Sequence, residues 1–308
     1  MKQIVLLYST RSSRIDHILQ AIIGFCELLF PGRIRGYYLQ GSYARGSATS
    51  VSDIDMILLF RGDFIDEGER QSAWQVDTLS EWLAGRQLDI IPFPEAKLSS
   101  PRVEDVALIA HLQEGARLLY GEDSRFEIQR PSRKAYVHSC MSAAFRAISW
   151  HHHHPKPFPV PLIYPDPDDE FFGFNQFAPT IDEGKAVGTQ RLVHSIVRIA
   201  GALVALETGQ VVASKRECVH LYGAGAVDEW AALVEDVFYW CHDQWQYQIP
   251  KDREGREKLR RFYEQTLNFE NHFLSCYYDL LIKNAHAEDV HLRQIAKKQL
   301  AEIFNSQH

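Results

Sequence analysis

Leu39-Gln40-Gly41-Ser42-Tyr43-Ala44-Arg45-Gly46, followed by Ser52-Asp53-Ile54-Asp55-Met56-Ile57-Leu58-Leu59-Phe60, is the stretch whose reading decides the fold. Residues 37–40 are aromatic and apolar, and predict a short strand running into a turn at Gly41-Ser42. Residues 43–47 leave room for one helical turn. The near-continuous apolar run from Ile54 to Phe60 suits a strand buried on both faces. Asp53 and Asp55 stand at i and i+2 at its start, a spacing that puts both carboxylates on one face of a strand.

Two carboxylates side by side need a physical reason. At ~4 Å and an effective dielectric near 20 their repulsion is about 4 kcal/mol. A shared proton relieves it, and so does a divalent cation. Mg²⁺ is bound by one or two carboxylates plus substrate phosphates, which suits this pair. Upstream, Gly41 lets the backbone approach an anion, the N–H groups of a turn and a new helix end point at phosphate, and Ser42 adds a hydroxyl donor. A bland alternative is an Asx turn in which Ser52 and Asp53 bond their own backbone.

The pattern G-S-x-A-R-G followed by S-D-I-D resembles the signature of the nucleotidyltransferase superfamily related to DNA polymerase beta. Within it the small-substrate branch that includes aminoglycoside adenylyltransferases is most similar. The resemblance implies an α+β architecture, a small mixed-sheet catalytic domain followed by an all-α helical domain. It implies Asp53 and Asp55 as metal-holding catalytic acids, with Gly41, Ser42 and Arg45 toward the nucleotide. The family carries a third acid on a following strand. Asp89, inside the apolar run Leu88-Asp89-Ile90-Ile91-Pro92-Phe93, is its counterpart, as metal ligand, general base or both. The residue chemistry alone allows Asp89 to face solvent on an edge strand, where Pro92 is tolerable.

The rest of the chain sets the frame. Its 308 residues imply two domains, and 45% hydrophobic with 24% charged residues is ordinary for a folded globular protein. A net charge of -7 argues against a nucleic-acid partner, which needs a basic footprint. Five well-separated cysteines without a C-x-x-C predict reduced thiols in a cytoplasmic protein. Residues 1–8 form too short an apolar run for a signal peptide, and no segment reaches membrane-spanning length.

Ser12-Ser13 predicts a cap for a helix to about residue 30, with a stripe of Ile15, Ile18, Leu19, Ile22, Ile23, Cys26 and Leu29. Residues 67–84 predict a second helix, burying Trp74, Val76, Leu79, Trp82 and Leu83, and 102–113 a third. Glu114-Gly115-Ala116-Arg117-Leu118-Leu119-Tyr120-Gly121 is similar to the end of the family's catalytic domain. The boundary falls in the polar stretch 122–134, giving domains of residues 1–126 and 135–308.

The second domain reads as helices over 135–150, 183–207, from 214 on, and near 228–246, 252–284 and 288–304. His151-His152-His153-His154, running into six prolines from 155 to 167, reads as an exposed helix end and linker, with metal binding as the sharper alternative. Asp166, Asp168, Asp169 and Glu170 beside Phe171, Phe172 and Phe174 read either as a surface loop with aromatic anchors or as a seat for a polycationic or sugar-like ligand. The stretch Thr208-Gly209 to Glu217 resembles the helical domain of streptomycin and spectinomycin adenylyltransferases. By that resemblance Lys215, and Arg198 on the preceding helix, reach the nucleotide phosphates; otherwise both are solvated helix cations. The whole implies Mg²⁺, ATP or another nucleoside triphosphate, and a small hydroxylated acceptor, with neither nucleic acid nor membrane as partner. Modification of a protein side chain, and a catalytically silent nucleotide-binding or antitoxin-like module, stay open beside transfer to a small molecule.

Overall fold

In a computed structural model the chain is described over residues 4–49, 52–84, 88–152, 160–174, 188–212, 214–225 and 229–304. It divides into two compact units, Met1–Tyr136 with Val211–Ser214, and Val137–Gln210 with Lys215–His308.

The first unit is built on a four-stranded sheet in the order β3-β2-β1-β4, with β1 Ile34–Leu39, β2 Ile54–Phe60, β3 Leu88–Pro94 and β4 Arg117–Gly121. β1 runs antiparallel to β2 and β4, whereas β2 and β3 are parallel, so the sheet is mixed. The parallel step is made by the crossover helix α3, Glu67–Ala84, because parallel neighbours cannot be joined by a tight hairpin. Helix α1, Ser13–Leu29, starts where the Ser12 side chain accepts from Ile15 N–H and buries Ile15, Leu19, Ile22, Ile23 and Cys26. Leu29, placed on the expected stripe, is 45% exposed, because Phe30 leaves the helix and turns inward in its place. Trp74 of α3 is likewise exposed, and Val76 carries the contact to the core.

Strand alternation sorts the core into two faces. Ile54, Met56, Leu58 and Phe60 of β2 pack with the α1 stripe, while Ile57 and Leu59 pack with Ile109 and Leu112 of α5, Val103–Gly115. Asp55 shares the parity of Ile57 and Leu59. Both faces being covered is what makes β2 a near-continuous apolar run.

The second unit is helical, with α6 Arg133–His151 (in this unit from Val137), α7 Gln190–Thr208, α8 Lys215–Gly225, α9 Ala231–Val237, a π-helical segment Phe238–Gln244, α10 Arg253–Ala285 and α11 Val290–Ile303. The helix expected from residue 183 begins at Gln190; residues 181–187 lie outside the described residues. Among the aromatics, Phe238, Phe262, Tyr263, Phe269, Phe273 and Tyr277 are core, whereas Tyr239 and Tyr278 are exposed.

The histidine tract departs from its expected exposure. His152 is 1% exposed, with Nε2 2.6 Å from Glu270 Oε2 and its ring edge-on to Phe174. Ser195 Oγ donates to the other Glu270 oxygen at 3.0 Å, so one buried carboxylate ties α6, α7 and α10 together. His153 and His154 lie outside the described residues. The acidic-aromatic loop is also self-contained. Asp169 accepts from Phe171 and Gly173 N–H, Glu170 pairs with Arg256, and Phe171, Phe172 and Phe174 are buried, so these acids hold the loop's own fold.

Candidate active site

The carboxylates come from two adjacent parallel strands. Asp55 and Asp89 are register partners on β2 and β3, so their side chains leave the sheet side by side on the same face. Asp89 is exposed and Asp55 half-buried. β3 is an edge strand, as Pro92 allows, and its exposed acid therefore stands both at the solvent edge and directly beside Asp55. Asp53 is half-buried in the residue pair just before β2, outside the strand on which its spacing from Asp55 had placed it. Ser52, 7% exposed, fixes that approach: its Oγ accepts from Thr49 N–H at 2.9 Å while its own N–H donates to Thr49 O. The local bonding of the Asx-turn alternative is thus made by Ser52.

The predicted Gly41-Ser42 turn is itself the start of a helix, α2, Gly41–Arg45. The switch from strand to helix is made at Gly41, with φ +62, and α2 ends at Gly46, φ +70. A Cβ on Gly41 would overlap Asp55 Oδ2 and stand 3.0 Å from its Cγ, so only glycine fits between α2 and β2. Gln40 N–H donates to Asp55 O at 2.8 Å, which pins the same junction through the backbone. Ser42 Oγ and Gln40 Nε2 are buried without a hydrogen-bond partner. Buried orphans of this kind cost about 1–3 kcal/mol each unless something completes them. A phosphate group would give both a partner, and the first N–H groups of α2 have no acceptor within the helix. Arg45 lies at the exposed end of α2.

Among the described residues no group of three or more His, Cys, Asp or Glu side chains stands ready-made to hold a metal ion. The donor set is nevertheless all hard oxygen, and a site of one or two carboxylates completed by phosphate is the Mg²⁺ pattern. The residues therefore fit a Mg²⁺-bound nucleotide better than a pre-built metal cage. A cavity of about 510 Å³ lies elsewhere in this unit, lined by Arg35, Glu95, Ser124 and Glu127 among others. Arg35 is already paired there with Glu95 and Glu127, and none of the residues Gly41, Asp55 or Asp89 lines it.

In the second unit the charges of Arg198 and Lys215 both bear on one imidazole. His194 stands four residues before Arg198 on α7, and its pKa is lowered to about 3, by desolvation first and then by the positive charges of Arg198 and Lys215. The ring keeps an exposed surface, so the direction of that displacement carries the point that both cations act on it. Lys215 Nζ lies 3.5 Å from Tyr247 OH and 5.8 Å from its ring centroid. Sequence reasoning passed over Tyr247, whose left-handed φ of 65° follows another at Gln246, because neither residue type advertises that conformation.

Residues 19–112 match the family model for the nucleotidyltransferase domain. No match was found among curated proteins. Among solved structures, the fold is similar to a spectinomycin adenyltransferase, AAD(9) from Enterococcus faecialis, solved with ATP and spectinomycin, with a TM-score of 0.53 at 10% identity over 82% of this chain and 98% of that one. A toxin-antitoxin structure with AMP-PNP aligns at a TM-score of 0.28 and 18% identity, over 45% of this chain and 90% of that one. No helix among the described residues is long and apolar enough to cross a membrane. By its family match, and with the α+β fold that carries Gly41, Asp55 and Asp89, the segment 19–112 is a nucleotidyltransferase domain.

Proposed function

We propose that this protein is a Mg²⁺-dependent adenylyltransferase that moves AMP from ATP onto a hydroxyl of a small, aminoglycoside-like molecule and releases pyrophosphate. The observation that carries the reading is the junction at Gly41. A glycine whose missing Cβ leaves room for the Asp55 carboxylate, next to a buried unpartnered Ser42 hydroxyl and an Asp55–Asp89 pair in register, suits a phosphate and a cation.

Asp53 and Asp55 would hold the metal, with Asp89 at its edge. Bound Mg²⁺ neutralises triphosphate charge and favours attack at the α-phosphorus. Ser42 Oγ and the first N–H groups of α2 donate to phosphate oxygens. Asp89, the more exposed of the register pair, accepts the proton of the acceptor hydroxyl as it attacks. ATP is favoured as donor because the similar adenyltransferase was solved with it, and a hydroxylated aminocyclitol as acceptor because that structure also holds spectinomycin.

Incubation with labelled ATP, Mg²⁺ and a panel of aminoglycosides and other polyols tests this directly. Pyrophosphate release that depends on one acceptor, with label on that acceptor, is the expected result. Label appearing only on protein, or nucleotide binding with no release under any acceptor, would overturn it.

A further inference from the structure

We propose that the segment preceding α1, residues 4–12, is a working part of the nucleotide loop, and that Tyr8 is its positioning residue. The proposal rests on the transferase reading of Gly41 and Ser42, and it concerns residues outside the 19–112 family match. Residues 4–9 alternate between half-buried and exposed, with Ile4, Leu6 and Tyr8 packed against the α1 side of the sheet core and Val5 and Leu7 outward. The segment is held along its length. Gln20 Nε2 donates to Ile4 O at 3.0 Å and Leu7 N–H to Leu119 O of β4 at 2.8 Å. Its end is fastened to the first turn of α1, where the Asp16 carboxylate accepts from Ser9 Oγ, Thr10 Oγ1 and Thr10 N–H at 2.6–2.9 Å.

Tyr8 is where this strap meets α2. Its hydroxyl donates to Ala44 O at 3.1 Å and to Tyr43 O at 3.3 Å, one proton shared between two carbonyls at the C-terminal end of the helix. α2 needs such support. It is five residues long, and its bonds at Ala44 N–H and Gly46 N–H are both long, at 3.4 Å. A helix of that length does not hold itself. Its opposite end carries Gly41 and Ser42, so a brace on the 43–44 carbonyls fixes where the N–H groups and the Ser42 hydroxyl point. The Arg117 guanidinium over the Tyr8 ring, 6.0 Å from its centroid, fixes the ring in turn.

Tyr8→Phe keeps the ring and removes only the brace. Hydrogen–deuterium exchange should quicken over residues 41–47 and stay unchanged in α1 and β2, with the thermal midpoint barely moved. Titration of the full chain with Mg-ATP should show affinity weakened about three- to tenfold, the range that one neutral hydrogen bond corresponds to. In turnover, KM for ATP should rise more than kcat falls. Unchanged exchange over 41–47 would overturn the brace. Faster exchange with unaltered ATP affinity would overturn the positioning role. Wild-type protein that binds no nucleotide defeats the transferase reading and that role together, while the exchange arm still decides the brace.

Discussion

Gly41 and Asp55 occupy one space, the hydrogen of the glycine facing a carboxylate oxygen where a methyl would stand. Two elements 14 residues apart are thereby forced together, and the contact predicts its own disruption. Gly41→Ala must place a Cβ at φ +62, at a cost of about 1–2 kcal/mol for the left-handed backbone, and must also displace Asp55. Mg-ATP binding should fall by at least tenfold with a smaller loss of thermal stability. Calorimetric titration beside a melting curve separates the two, and equal binding in the variant would mean that the junction is not the nucleotide site.

Asp55 and Asp89 are partners in register but not in exposure, and their roles should part accordingly. Asp55→Asn should weaken Mg-nucleotide binding itself. Asp89→Asn should leave ATP affinity within about threefold and lower kcat by about 10²–10⁴, the usual worth of a general base. Single-turnover rates with ATP saturating provide the measurement; a D89N enzyme with intact kcat would remove Asp89 from the proton transfer.

His138 gives a pH prediction in the helical unit. It is fully buried, its Nε2 2.8 Å from Gln299 Oε1 and its Nδ1 3.1 Å from Asn284 Nδ2, and Gln299 goes on to Ser142 and Ser142 to Tyr277. An amide N–H₂ facing Nδ1 requires that nitrogen to be an acceptor, so the ring is neutral. Burial lowers its pKa, against a smaller opposite effect of Gln299. The folded pKa is thus below the unfolded one, near 6.5. Above that value neither state binds the proton and the contribution is complete. As pH falls below it the unfolded chain protonates first, and stability drops by up to about 1.4 kcal/mol per pH unit. His194 acts in the same direction, so the comparison that isolates His138 is wild type against His138→Gln. Urea midpoints at pH 7.5 and 5.5 should converge between the two proteins as pH falls; parallel shifts would refute the assignment.

These cases also show what the sequence could and could not convey. The Gly-Ser junction and the apolar strand are local patterns, and they appear in the structure as strand, short helix and strand in the expected order. Asp89 was singled out through the family resemblance, and its exposure on the edge strand β3 is what the residue chemistry alone allowed. Tyr8 was not legible, since its partners lie 35 and 36 residues away and a tyrosine in an apolar segment signals nothing specific. β4 went unpredicted because Arg117–Gly121 is short and follows a helix without a break. His152 looked like part of an exposed polar tract for the same reason of distance, its carboxylate standing 118 residues on.

That last pair supports one more prediction. His152, Glu270 and Ser195 are each at most 2% exposed, and Glu270 serves both others at once. Removing the carboxylate takes the Glu270 partner from both His152 and Ser195. Glu270→Ala should therefore cost about 3–5 kcal/mol of unfolding free energy, the range for breaking one side of a buried ionisable pair. Glu270→Gln keeps the shape and an acceptor, and should cost clearly less. A double change that removes both polarities at similar volume, His152→Phe with Glu270→Met, should recover part of the alanine loss, since the penalty comes from stranding a partner. Denaturant unfolding of the three variants decides it. If the double variant is as unstable as Glu270→Ala, the loss comes from packing volume around Phe174 and not from the hydrogen-bonded carboxylate.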